Sequence, residues 1–324
     1  MTYMPTWLMY FSFSLALITM ELLYFRIARD FKILDHPNNR SLHEKPTIRG
    51  GGIIFYLSAL LFYALTFQPD LPFIIGMTLV SVIGFADDIR SLSSTLRFAF
   101  QSLAFGIAFS GFDIDASPWL LAAMFIVSVG AINTFNFMDG INGLTGGYGL
   151  VALLSLLFVN IHNVSFTESD FILAVIASVL VFCYFNFRKK AVCFAGDVGS
   201  LSIGFVIIFM IVRLILISDN FVFVFFLTVY GVDSVLTIIH RLMRRENIFK
   251  AHRLHFFQIV VNSGKVSHIQ MSIIYMVLQA LINIAVIASL TLPLSSQYII
   301  GFGIVLLLGM AYVIIKPRAM TPHP

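Results

Sequence analysis

Apolar residues in this chain gather into long blocks separated by short polar stretches. A helix needs roughly 17–25 such residues to cross a hydrocarbon core, and about eleven blocks are read as crossings. They cover residues 6–27, 51–67, 71–86, 97–111, 118–135, 145–161, 170–187, 199–217, 221–239, 268–290 and 298–315. In lipid every backbone N–H and C=O must be satisfied within its own segment, so each block is expected to be a helix. The expected fold class is an all-α polytopic membrane protein, with residues 1–324 as a single integral membrane domain. Composition agrees: 59% of the residues are hydrophobic, 11% are charged and mean hydropathy is +0.94, far from the values of soluble domains.

The first block is expected to be retained rather than cleaved as a signal peptide. Met1 to Trp7 carry no Lys or Arg, whereas Arg26, Arg29 and Lys32 cluster at its far end, the reverse of a secretory signal. Cys183 and Cys193 have neither disulfide nor metal-ligand spacing and read as small hydrophobes.

Positive charge sets the orientation, because short loops rich in Lys and Arg stay inside. Of the 20 Lys and Arg residues, all but Arg213 lie beyond odd-numbered blocks. Loops after even-numbered blocks carry Asp70, Asp113, Asp115, Glu168, Asp170 and Asp219 but no Lys or Arg. The N-terminus is therefore expected outside and the C-terminus in the cytoplasm. The net charge of +4 is read as an inner collar facing anionic headgroups of the lipid bilayer. Nucleic acid is not an expected partner, since no folded soluble domain is present to bind it. Arg213, near the outer end of its block, is expected to snorkel outward.

Four polar clusters share the inner side: Asp87-Asp88, the stretch from Asn133 to Asn142, Asp197, and His252 with His255. Adjacent carboxylates such as Asp87 and Asp88 repel one another, and a divalent cation or a nearby Arg relieves that repulsion. Mg²⁺ suits them, because it binds through one or two carboxylates plus substrate phosphates. The plainer reading is a solvated helix C-terminus, where the helix dipole slightly disfavours carboxylates. In NTFNFMDGINGLTGG, residues 133–147, glycines permit close backbone approach while Asn136, Asp139 and Asn142 offer donors and acceptors to a base or ribose. A glycine-rich turn would explain the glycines alone. Asp197, three residues after Phe194, reads either as a helix cap or as a metal ligand.

Taken in order, these motifs resemble the polyprenyl-phosphate N-acetylhexosamine-1-phosphate transferases, glycosyltransferase family 4. The resemblance runs from about Asp35 to Gly264 and includes Asp35-His36-Pro37-Asn38-Asn39-Arg40, continuing through His43, Pro46 and Arg49 to Gly50-Gly51. It implies transfer of an N-acetylhexosamine-1-phosphate from a UDP-N-acetylhexosamine to undecaprenyl phosphate, with release of UMP. The cofactor implied is Mg²⁺, with Mn²⁺ as its substitute. The setting implied is a bacterial inner membrane, N-terminus periplasmic, with the active site on the cytoplasmic face and a homodimer as the assembly. Catalytic roles would fall to Asp87, Asp88 and His255, and metal ligation to Asp197 and Asp88. Phe194 would stack on uracil; Asn136, Asp139, Asn142 and Asn186 would line the nucleotide pocket. Arg97 would meet a pyrophosphate, with Lys45, Arg49, His252 and Arg253 as further substrate contacts. The site would be assembled from loops at about 28–50, 87–97, 133–147, 188–199 and 240–267.

The last of these loops departs from the family pattern: it reads Lys250-Ala251-His252-Arg253-Leu254-His255 where clustered histidines are usual. This form resembles the branch that begins O-antigen units with 6-deoxy sugars such as FucNAc or QuiNAc. The sister reading is phospho-N-acetylmuramoyl-pentapeptide transfer in peptidoglycan synthesis. Aspartate-rich prenyltransferases need a further Asp soon after the first pair, where this chain has Ile89-Arg90-Ser91-Leu92. A transporter would explain the crossings and the intramembrane Asp233 and Arg213, but would not require four polar motifs on one face.

Overall fold

A computed structural model describes residues 6–35, 46–66, 70–112, 117–247 and 253–320. The described chain is built of helices: α1 (Thr6–Asp30), α2 (Ile53–Thr66), α3 (Leu71–Ile89), α4 (Ser94–Ser110), α5 (Pro118–Met138), α6 (Leu144–His162), α7 (Ser169–Asn186), α8 (Gly196–Ser218), α9 (Thr228–Met243), α10 (Phe256–Asn262), α11 (His268–Ser289) and α12 (Leu294–Met320). A 3₁₀ turn, Phe221–Leu227, leads into α9. Every expected block is helical. Nine stretches among the described residues are long and apolar enough to cross a membrane, the 3₁₀ turn and α9 counting together as Phe221–Met243. The other two expected blocks form α2, of 14 residues, and α4, of 17, both short of the roughly 20 residues of a full crossing. The protein is thus an all-α, multi-span membrane protein.

Local chemistry sets the helix starts. Asp70 accepts from the Phe73 N–H ahead of α3, Ser93 from Leu96 ahead of α4, and Ser117 from Leu120 ahead of α5, each occupying an amide that its helix leaves unpaired. Ser267 and Gln270 form a reciprocal capping box on α11.

The most apolar helix, α8, is the central post: 83% of its best membrane-length window is buried, against 11% for α12 at the periphery. It packs on α2, α3, α5 and α6. Its two ends differ in character. At the far end Arg213 Nη1 lies 3.6 Å from Asp70 Oδ2, an ion pair shared with the start of α3. At the near end the first turn of α8 meets Gly52 and Gly84 almost backbone to backbone. A Cβ on Gly52 would fall on the Gly199 Cα, and one on Gly84 would lie 2.8 Å from the Val198 backbone nitrogen.

That contact generates a test. Gly52→Val should destabilise the protein by about 1–3 kcal/mol or more, by overpacking. Gly106→Ala, in α4 with nothing within 4 Å of the new methyl, should be neutral or stabilising by up to about 1 kcal/mol. Thermal unfolding in detergent compares the two.

Candidate active site

The segment before α2 is stitched to the start of α8. Strand β1 (Leu34–Asp35) pairs antiparallel with β2 (Thr47–Ile48), and Ile48 bridges in parallel to Cys193. Phe194 N–H donates to Ile48 O at 2.8 Å, Gly51 N–H to Phe194 O at 2.8 Å and Gly52 N–H to Ala195 O at 3.1 Å. Gly50, at φ +80°, turns the chain where Arg49 must project, a conformation that favours glycine. Tyr24 of α1 braces the turn by donating its hydroxyl to the Arg49 carbonyl at 2.5 Å.

This places Arg49 among three carboxylates. Its Nε donates to Asp88 Oδ1 at 2.7 Å and its Nη2 to Asp197 Oδ2 at 3.1 Å. Burial works against the guanidinium charge, but Asp88 and Asp197 outweigh it and hold the Arg49 pKa above its ordinary value. Asp88 also accepts the Asp197 N–H at 2.8 Å and the Val198 N–H at 3.0 Å, so its oxygens close the N-terminus of α8. Asp87 accepts from Arg97 Nη1 at 2.9 Å and from the Leu92 N–H at 2.5 Å. Asp197 accepts from Asn136 Nδ2 at 2.5 Å, and its carboxyl lies within hydrogen-bonding reach of the Asp87 carboxyl.

Two carboxylates facing each other, one of them at the edge of a cleft, fit a hard divalent cation that completes its shell with water and phosphate. Among the described residues no group of three or more His, Cys, Asp or Glu side chains forms an all-protein cage. Asp197 and Asp87 face each other there, while Asp88, expected as a ligand with Asp197, is held by Arg49 and two amides.

An open cleft of about 1420 Å³ begins at Arg49 and Asp197 and contains most of the residues expected to meet the nucleotide. Asn136, Asp139, Asn142, Asn186, Phe194 and Arg253 all line it. Two of these amides are engaged by backbone. Asn186 accepts the Gly143 N–H at 2.7 Å and donates to Cys193 O at 2.8 Å, tying the glycine-rich loop to the stretch before α8. Asn142 donates to Arg188 O at 2.9 Å, while its own N–H points to His268 Nδ1 at 3.5 Å. These two build the floor of the cleft. Asp139 accepts from Thr145 Oγ1 at 2.6 Å. Burial pushes the Asp139 carboxyl up to about 6; the Thr145 hydrogen bond opposes the rise and the Asp88 charge adds to it.

Two expected site residues sit elsewhere. Arg97 is committed to Asp87 and does not line the cleft. His255 is buried beside Asp233, Nδ1 to Oδ1 3.4 Å, between the rings of Phe137 and Phe257. Asp233 also accepts the Phe256 N–H at 2.9 Å and the Tyr275 hydroxyl at 2.7 Å, fixing the stretch that carries Arg253. Lys45 and His252 lie outside the described residues, as do His36 to His43. Sequence reasoning missed Tyr24 and Glu21 of α1. Glu21 is fully buried with Cys193 Sγ directed at its Oε1, 3.8 Å away. A lone acid inside the first apolar block was the available signal.

The raised Asp139 carboxyl has a definite pH signature. The native state holds its proton more tightly than the unfolded chain, so wild-type stability falls as pH rises from about 4 to 6. Asp139→Asn should therefore raise the unfolding midpoint above pH 6, with the gain shrinking as pH falls toward 4. Thermal scans of both proteins across that range read the effect directly.

Comparison with known proteins bears on this geometry. A profile described as "Glycosyl transferase family 4" matches residues 71–215, which include Asp87, Asp88, Asn136, Asp139 and Asp197. A phospho-N-acetylmuramoyl-pentapeptide-transferase of Thermotoga neapolitana is 30% identical over 234 residues, 66% of this chain and 76% of the relative. A Bacillus subtilis protein named "Probable undecaprenyl-phosphate N-acetylglucosaminyl 1-phosphate transferase" is 26% identical over 277 residues, 78% of this chain and 76% of the relative. The undecaprenyl-phosphate alpha-N-acetylglucosaminyl 1-phosphate transferase of Escherichia coli K12 is 23% identical over 301 residues, 85% of this chain and 82% of the relative. The chain thus belongs to glycosyl transferase family 4, the polyprenyl-phosphate N-acetylhexosamine-1-phosphate transferases.

Proposed function

We propose that the protein transfers an N-acetylhexosamine-1-phosphate from a UDP-sugar to undecaprenyl phosphate at the cytoplasmic face of a bacterial inner membrane, beginning an O-antigen or related envelope polysaccharide. The observation that carries the reading is the Asp87–Asp88–Asp197 cluster around Arg49, opening on an amide-lined cleft at one end of an apolar helix bundle. A neutral solute needs no such cluster, whereas a diphosphate at a membrane surface does.

In this reading an oxygen of the lipid phosphate attacks the sugar-bearing phosphorus of the donor. The bond from that phosphorus to the bridging oxygen breaks, and UMP leaves with the electron pair. The lipid phosphate is already a competent nucleophile, so the protein's work is positioning and charge neutralisation. Asp87, held by Arg97 and the Leu92 amide, orients the acceptor phosphate. Mg²⁺ held by Asp197 and Asp87 supplies charge stabilisation at the phosphoryl oxygens when bound. Asn136 fixes the Asp197 rotamer from the side. Phe194 provides an apolar face for uracil in the same cleft as Asp139. His255 and Asp233 hold Arg253 at the cleft mouth.

GlcNAc is the first sugar to test, because the Bacillus and Escherichia relatives carry it in their names. FucNAc and QuiNAc follow from the form of the 252–255 loop. UDP-MurNAc-pentapeptide belongs in the panel because of the Thermotoga relative.

Purified protein given Mg²⁺, undecaprenyl phosphate and each UDP-sugar should release UMP with at least one donor. Asp197→Asn, still inserted and folded, should lose at least about 10²–10³-fold of that rate. Normal UMP release from the variant would sink the metal assignment, and none from wild type with any donor would favour a transporter. Phe194→Ala should raise the donor KM about 5- to 100-fold with a smaller effect on kcat, the loss expected for a stacked base; an unchanged KM would remove Phe194 from the base site.

A further inference from the structure

The charge balance around Arg49 points to a role beyond holding the loop. Asp87 has Arg97, while Asp88 and Asp197 share Arg49, so three carboxyl groups face two guanidinium groups and, when all three are ionised, carry one negative charge more. A divalent cation would reverse that sign. The two arms of Arg49 are also unequal. The Nε contact, 2.7 Å, is to an Asp88 side chain with 0% exposure that two α8 amides lock in place. The Nη2 contact, 3.1 Å, is to an Asp197 side chain that is 17% exposed and borders the cleft, as Arg49 itself does.

We propose that Arg49 is an exchangeable counter-ion: its Nη2 arm neutralises Asp197 until a divalent cation takes that carboxylate, and the freed guanidinium face then grips the donor diphosphate, with the Asp88 contact as pivot. The inference rests on the function proposed above. A guanidinium and a divalent cation on one carboxylate repel each other strongly in a partly buried site. A diphosphate offers the guanidinium a better, bidentate partner. Cation and donor therefore favour each other's binding, and by linkage each changes the other's affinity by the same factor.

The test measures binding rather than turnover. Mn²⁺ affinity is read by electron paramagnetic resonance on purified protein in detergent, with and without UDP. In wild type, Mn²⁺ and UDP should each tighten the other about 5- to 150-fold, the usual span of such coupling. Arg49→Gln should bind Mn²⁺ in the absence of UDP about tenfold more tightly than wild type, and the coupling should fall toward one. Asp197→Asn frees the Nη2 arm without a cation, so its UDP affinity should become independent of Mn²⁺. Arg49→Lys, which keeps a charge at Asp88 but lacks the second arm, should follow Arg49→Gln in direction and serves if the Gln variant does not fold. Unchanged or weaker Mn²⁺ binding by a folded Arg49 variant would overturn the proposal, as would coupling that survives in it. Failure of wild type to bind UDP under any condition would instead overturn the functional reading, leaving the comparison of Mn²⁺ affinities intact.

Discussion

Everything at the end of the bundle that holds the carboxylate cluster depends on how the start of α8 satisfies its backbone. The first amides of a helix have no partner within it, and α8 begins inside the protein, next to Gly52 and Gly84, where side chains of ordinary size do not fit. Asp88 meets that demand from α3 by accepting the Asp197 and Val198 N–H groups. A buried carboxylate must in turn be neutralised, which requires Arg49, and Arg49 reaches it only because the Gly50 turn is stitched to residues 193–195. Capping, neutralisation and close packing are thus one constraint, and the carboxylates of the cluster are arranged by it.

Much of this was legible in the sequence. The apolar blocks gave the helices because lipid leaves the backbone no other option. The cluster residues Asp87, Asp88, Asn136, Asp139 and Asp197 stood out because carboxylates and amides beside apolar blocks have few structural explanations. What could not be read was the division of labour among them. Asp88 and Asp87 are neighbours in sequence, yet one caps a helix 109 residues away while the other pairs with Arg97, a difference created by the side of α3 each occupies. His255 carried an expected catalytic role, but it is buried beside Asp233 of α9, a neighbour that only the packing brings to it. Residue type records what a side chain can do, and only the packing decides which partner arrives first.

The same lesson holds for the lengths of α2 and α4. Periodicity and hydropathy marked both as crossings, whereas their helices are 14 and 17 residues long. Both lie beside α3, and α2 also packs on α8, so part of what lipid would demand of them is met by protein neighbours instead.

The walls of the cleft differ in a way that reaches beyond catalysis. Asn142 and Asn186 bind the floor to neutral carbonyls and amides, with no net charge in any contact. The opposite wall is ionic and partly exposed at Arg49–Asp197. Dissolved salt screens the second kind of contact and leaves the first nearly untouched. Ionic strength therefore acts on one wall alone: it loosens the ionic contacts while the shape of the floor stays fixed.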